Sequence, residues 1–182
     1  MLSFYDIPSF FLTIRAPVIT VLFLSAPVSR PTLAFWSAVS QFLEASPTLV
    51  ALELEDIGFL TDDILENSNH LCRFLEALRN IQDLTLRHMD ILPFFQRILA
   101  EQAEDRYLCS ALEHISVIFS QLPADLFMEF VLHHAGLEAA QALKSIHLDR
   151  FWGLTSSHIA LLRSLNNQLE VKITHGKISP NN

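Results

Sequence analysis

Eight histidines and two cysteines are the groups in this 182-residue chain best suited to holding a metal or attacking a bond. They come nearest one another as His70-x-Cys72, as Cys109-x4-His114 and as the pair His133-His134. A zinc site built from local sequence needs two ligands at helical or knuckle spacing and further ligands within reach. None of the three pairs offers ligands at i and i+4 with a third nearby, and no Cys-x-x-Cys occurs. No metal site is expected, and the imidazoles read as surface or capping groups, with His114 and His147 placed to give a modest pH sensitivity. Gly-x-Ser-x-Gly, the Walker loop, the dinucleotide fingerprint and His-Glu-x-x-His are all missing, and only four glycines are present to cradle a phosphate. Cys109, followed by Ser110 just ahead of a strand, reads as packing rather than as a nucleophile. No catalytic activity and no cofactor are expected.

The composition describes what must position any site. Hydrophobic residues make up 51% and charged residues 18%, which excludes a disordered chain or a solvated coiled coil. The length suits one domain or a short array of repeats, with a core that needs no disulfide or metal. Lys plus Arg is 12 against 20 for Asp plus Glu, a net charge of −8 that argues against binding nucleic acid through its phosphates. Two cysteines cannot form a disulfide framework and no Asn-x-Ser/Thr occurs, so a cytoplasmic or nuclear location is expected. Phe10 to Ala26 is apolar but carries Arg15 and Pro17, with Asp6 ahead of it. Its longest unbroken run, Val18 to Leu24, falls far short of the roughly 18–20 residues of a membrane span. It reads as a buried strand, and no membrane partner is expected.

One pattern organises the whole chain. L-x-x-L-x-L, with any aliphatic at the L positions, occurs at Ile19-Leu22-Leu24, Leu49-Leu52-Leu54, Ile81-Leu84-Leu86, Leu112-Ile115-Val117 and Leu143-Ile146-Leu148. The middle residues are separated by 30, 32, 31 and 31 positions. A degenerate copy at Leu169-x-Val171 follows 23 residues after Ile146, and a partial one, Leu2-x-Phe4-x-x-Ile7, stands at the front. Strands are therefore expected near residues 2–7, 18–24, 49–54, 81–86, 112–117, 143–148 and 169–173. Between them lie stretches of helical period: Trp36, Val39, Phe42, Leu43; Leu71, Phe74, Leu75, Leu78; Phe94, Phe95, Ile98, Leu99; Phe127, Phe130, Val131; Ile159, Leu162, Leu165. Pro93, Pro123 with Asp125, and Thr155-Ser156-Ser157 mark helix starts.

Repeated strand–helix units also build barrels and doubly wound sheets, but there the strands read as continuous apolar runs. Here Glu53 and Glu55 flank Leu54, Thr85 and Arg87 flank Leu86, and His147 and Asp149 flank Leu148. One strand face is apolar and the other wet. The expected fold is thus an α/β open solenoid, a horseshoe of about six parallel strands on the concave side with helices on the convex side. The alternatives are a fragment of a βα-barrel or Rossmann-type enzyme, and an all-helical array.

The strands resemble those of leucine-rich repeat proteins of the ribonuclease-inhibitor-like kind. Pro47-Thr48-Leu49-Val50-Ala51-Leu52-Glu53-Leu54 and Leu78-Arg79-Asn80-Ile81-Gln82-Asp83-Leu84-Thr85-Leu86 are similar to the repeat region of fungal F-box proteins. The resemblance covers residues 1–175, as one repeat domain, and leaves 176–182 as a polar tail. It implies a non-catalytic protein-recognition domain, the substrate-binding arm of an F-box-type ubiquitin ligase subunit; a free-standing repeat scaffold or inhibitor is the other reading of the same repeats. Two departures stand out. Ile57, Met89 and Phe151 occupy the places where the family carries Asn or Cys, and no stretch reads as an F-box. The resemblance therefore implies a fragment, or a member that has lost its ligase arm, with a ligase adaptor as partner only if an F-box lies upstream.

Side chains alternate along a strand, so the wet face collects Tyr5, Phe23, Glu53, Glu55, Asp83, Thr85, Arg87, His114, Ser116, His147 and Asp149 as candidate partner-binding residues. Ser3, Val21, Ser25, Ala51, Ile118, Ser145, Gln168, Glu170 and Lys172 complete it. Its front is aromatic and its middle acidic, with Glu53, Glu55 and Asp83 close enough to repel one another. The expected partner is a protein or peptide with a basic stretch beside an apolar residue. Residues 61–140 hold thirteen acids against five bases, and Asp62, Asp63, Glu66, Glu101, Glu104 and Asp105 among them read as a solvated face.

Overall fold

Alternating aliphatic residues build the sheet, as the pattern requires. The structure, a computed structural model, describes residues 18–28, 32–58, 66–102, 108–120, 123–135, 143–151, 153–165 and 169–174. Six parallel strands lie side by side in chain order: β1 (Val21–Val28), β2 (Ala51–Ile57), β3 (Asp83–Arg87), β4 (His114–Ile118), β5 (Ser145–Asp149) and β6 (Glu170–Thr174). β1 and β6 are the edges, so the described sheet is not closed, and its order contains no reversal of the doubly wound kind. The strand expected near 2–7, with Tyr5, and the tail at 176–182 lie outside the described residues.

The aliphatic markers stack in register. Leu22, Leu52, Leu84, Ile115, Ile146 and Val171 form one column, and Leu24, Leu54, Leu86, Val117, Leu148 and Ile173 the next. From β2 to β5 every member of both columns is at most 1% exposed. Burying a side chain of this size stabilises by about 1.5–3 kcal/mol, so these columns are the main cohesive element of the sheet.

β2 to β5 start two residues later than the pattern suggests, and ahead of β2, β3 and β4 the first aliphatic of the repeat belongs to a turn. Leu49, Ile81 and Leu112 each donate their N–H to the carbonyl three residues back, and each is buried. Two successive N–H groups then converge on one carbonyl of the preceding strand: Val50 and Ala51 on Thr20, Gln82 and Asp83 on Val50, Glu113 and His114 on Gln82, Lys144 and Ser145 on Glu113. The last repeat is one residue short here. Val171, not Leu169, pairs with Ile146, which shifts that copy by one pleat from the expected alignment. Glu170 thus faces Ser145, Lys172 faces His147, and Thr174 rather than Lys172 faces Asp149.

Five helices join the strands: α1 (Leu33–Glu44), α2 (Glu66–Ala77, running on into a 3-10 turn at Leu78–Asn80), α3 (Leu92–Gln102), α4 (Ala124–Ala135) and α5 (Ser156–Ser164). Their starts are chemically marked. Thr32 accepts the Phe35 N–H at 3.3 Å, Asp90 accepts the Leu92 N–H at 3.2 Å, and Thr155 forms a reciprocal capping box with His158. The helices bury Trp36, Val39, Phe42, Leu43, Phe74, Leu75, Phe94, Phe95, Ile98, Phe127, Phe130, Val131, Ile159 and Leu162 in one core with the aliphatic sheet face. Edge-to-face contacts link neighbouring helices, Trp36 to Phe74 at 4.8 Å and Phe95 to Phe130 at 4.8 Å. Among the described residues no helix is long and apolar enough to cross a membrane.

Candidate functional site

The sheet face turned away from the core carries three rows of side chains, one per alternating position, on strands about 4.8 Å apart. The first row reads Val21, Ala51, Asp83, His114, Ser145, Glu170; the second Phe23, Glu53, Thr85, Ser116, His147, Lys172; the third Ser25, Glu55, Arg87, Ile118, Asp149, Thr174. Every candidate residue of the sequence reading except Tyr5, which is not among the described residues, falls in these rows. Val21 and Phe23 are 65% and 53% exposed, and Val18 beside them is also exposed, so the apolar front of the face is open. Glu53, Thr85, Ser116 and His147 are half-buried, whereas Ile118 is buried.

The electrostatics differ from the expected patch of repelling carboxylates. Glu53 is ion-paired with Arg87, reached diagonally on the adjacent strand, so of the three carboxylates Asp83 and Glu55 are left without a guanidinium. Further along the face the groups are donors and hydroxyls. His114 Nδ1 lies 2.7 Å from Ser145 Oγ, and Lys144 pairs with Glu113 at 2.6 Å just outside the rows. Thr174 donates to Asp149 at 3.0 Å, and its oxygen lies 3.2 Å from His147 Nε2, which then donates to it. The Thr174 proton points at the carboxylate and not at the imidazole, so the trio holds side chains in place rather than activating an oxygen. Burial, followed by the charge of Lys172, lowers the His147 pKa against the opposing pull of Asp149, with Arg87 adding to the lowering. The face is therefore graded: apolar at β1, acidic with one paired guanidinium across β2 and β3, and polar with charges of both signs, Asp149, Glu170 and Lys172, at β5 and β6.

Along the end of the third row runs a feature the sequence did not announce. Asp56, His88, Phe119 and Arg150 each follow an aligned strand residue, and each has a left-handed backbone, with φ of 58°, 50°, 53° and 51°. Such a conformation costs an L-residue roughly 1–2 kcal/mol. The sheet offsets it: the N–H groups of His88, Phe119 and Arg150 reach the carbonyls of Ile118, Asp149 and Thr174 on the next strand, each at 3.0 Å. The side chains then stack into a ladder. His88 Nδ1 lies 3.6 Å from Asp56 Oδ1, its ring centroid lies 4.5 Å from that of Phe119, and the Arg150 guanidinium sits 4.1 Å over the Phe119 ring. The residue after each rung, Ile57, Met89, Ser120 or Phe151, turns into the core and is at most 4% exposed. No Gly or Asn flags this column, and its four residue types differ; only the shared offset of two from Leu54, Leu86, Val117 and Leu148 could have revealed it.

The pairs of metal-ligating residues close in sequence do not assemble. Cys72 donates to Glu101 at 3.2 Å and accepts from Arg97 at 2.8 Å, an arrangement between α2 and α3 in which Arg97 also binds Glu101. Burial, then the Glu101 hydrogen bond, raises the Cys72 thiol, with Arg97 opposing. Glu101 is 3% exposed, so it does not belong to the solvated face assigned to it from sequence. Burial pushes Cys109 up to about 12, consistent with a packing role. His134 is buried, with Nδ1 3.0 Å from the Phe130 carbonyl and Nε2 3.4 Å from Gln102 Nε2. The one group of three ligating side chains among the described residues is Glu55, Asp56 and His88, brought together by the β2–β3 register from positions 32 or 33 apart. Comparison with known protein families, with curated proteins and with solved structures finds no match to this chain.

Proposed function

We propose that the chain is a leucine-rich repeat solenoid, a horseshoe with its helices outermost, and that its concave sheet face recognises a protein or peptide. The observation that carries this is the open face itself. Three registered rows of six side chains lie on the side of a sequentially ordered parallel sheet that the core does not use. Exposed apolar side chains at one end of a polar face are the usual anchors of a protein contact. Phe23 and Val21 supply the apolar anchor, and Asp83 and Glu55 select a partner with a basic stretch beside it. The F-box-type ligase setting rests on the resemblance of the repeats, and within it this face is the substrate-binding arm.

The test compares capture from the source cell by three forms of the chain. One is unaltered, one carries Phe23→Ser with Thr85→Arg and Ser116→Arg on the open face, and one carries Glu76→Arg with Glu129→Arg on exposed helix positions. Recognition by the face predicts a partner set retained by the first and third forms and lost by the second. A set unchanged in the second form overturns the proposal. Because no stretch of the sequence reads as an F-box, the ligase setting is tested by turnover of the retained partner in the source cell: slower turnover when the open-face form replaces the unaltered chain supports it, and turnover indifferent to the change leaves a repeat scaffold or inhibitor.

A further inference from the structure

We infer that Glu55, Asp56 and His88 form a divalent-cation site at the rim of the open face, with zinc as its best-matched ion. This inference does not depend on the recognition reading. The ligand atoms of the three side chains all lie within 4.8 Å of one another, and His88 Nδ1 stands 3.8 Å from Glu55 Oε1 and 3.6 Å from Asp56 Oδ1. Those separations are too long for hydrogen bonds. They are close to the spacing of donors around a shared ion, since ligands about 2.0–2.2 Å from zinc stand about 3–3.7 Å from each other.

Three further observations support the assignment. The charge is unbalanced: among the described residues no Lys or Arg pairs with Glu55 or Asp56, and Arg87 on the adjacent strand is taken by Glu53. The ligands are positioned in advance, because Asp56 and His88 are fixed by the left-handed column at the ends of two hydrogen-bonded strands. The imidazole is packed, since its ring lies 4.5 Å from Phe119, over which the Arg150 guanidinium sits at 4.1 Å. One imidazole and two carboxylates suit a borderline metal such as zinc better than calcium or magnesium, which favour all-oxygen shells. Three protein ligands leave a fourth position toward solvent, as in sites where the ion meets an external donor.

The experiment titrates the untagged, chelator-treated full chain with zinc chloride by calorimetry, and with cobalt(II) while recording its visible ligand-field bands. Two variants run alongside. His88→Asn removes the imidazole and keeps a residue that tolerates the left-handed backbone, and Glu55→Gln with Asp56→Asn removes both charges. Circular dichroism and thermal melting verify that both are folded. The site predicts one ion per chain and tetrahedral-type cobalt bands, with affinity reduced at least tenfold in each variant, the minimum expected when even an outer-shell partner is lost. An unaltered chain that binds no zinc overturns the inference, and so does binding whose stoichiometry and affinity are the same in both folded variants.

Discussion

Acidification should loosen this protein through one buried imidazole. His134, in the last turn of α4, is 2% exposed, its ring centroid lies 4.1 Å from that of Phe130, and it is wedged against Gln102 of α3. Nδ1–H donates to the Phe130 carbonyl, and the Gln102 amide nitrogen lies 3.4 Å from Nε2 and 3.5 Å from Nδ1, against the ring rather than in line with one nitrogen. Burial, together with the neighbouring His133, lowers its pKa from the usual 6.5 to about 4 despite the opposing Phe130 hydrogen bond. The unfolded chain therefore takes up a proton below about pH 6.5 that the folded chain refuses until about pH 4. Stability from this residue is complete above 6.5 and is lost as pH falls toward 4. At about 1.4 kcal/mol per unit, the loss is about 2 kcal/mol by pH 5 and about 3 kcal/mol by pH 4. Urea titrations at pH 7 and pH 5 on the unaltered chain and on His134→Gln isolate the effect, because all other titrating groups are shared. The variant starts less stable but should lose about 2 kcal/mol less between the two pH values. Parallel losses in the two proteins would refute the argument.

Two other expectations follow from the packing and the charges. Leu84, at 1% exposure in the middle of the aliphatic column, should lose roughly 2–5 kcal/mol on change to Ala, and a loss near zero in denaturant would mean that the register is wrong. Glu53 and Arg87, each with its side chain about one-third exposed, should show a double-mutant coupling of about 0.2–1 kcal/mol that fades with added salt; a coupling indifferent to salt would contradict the pairing.

The repeat was legible because stacking identical units repeats one physical requirement, an aliphatic pair on one face of each strand. That is why Leu52, Leu84, Ile115 and Ile146 could be aligned from spacing alone, and why Glu53, Thr85, Ser116 and His147 fell on one row. Backbone hydrogen bonding was less legible. The turn at Ser46–Leu49 and its counterparts draw the first aliphatic out of the strand, and nothing in L-x-x-L-x-L distinguishes a turn leucine from a strand leucine. The missing residue before β6 moved Val171 into the place assigned to Leu169. Contacts between repeats were legible least of all. Glu53 finds Arg87, Asp56 meets His88 and Glu101 is buried against Cys72, each across a whole period where linear spacing carries no signal. The left-handed column lacked even a residue type to mark it, since the sheet rather than a glycine holds its backbone.

The central claim, that the open sheet face is where a macromolecular partner sits, is tested most directly by site-specific photo-crosslinking in the source cell. A photoreactive residue is placed at Thr85 or Ser116 on the middle row, and at Glu76 or Glu129 on the exposed sides of α2 and α4. Thr85 and Ser116 are expected to label the same protein while the helix positions do not, and Phe23→Ser is expected to abolish the labelling. Labelling of a common partner from Glu76 and Glu129, with none from Thr85 or Ser116, would place recognition on the helices and contradict it.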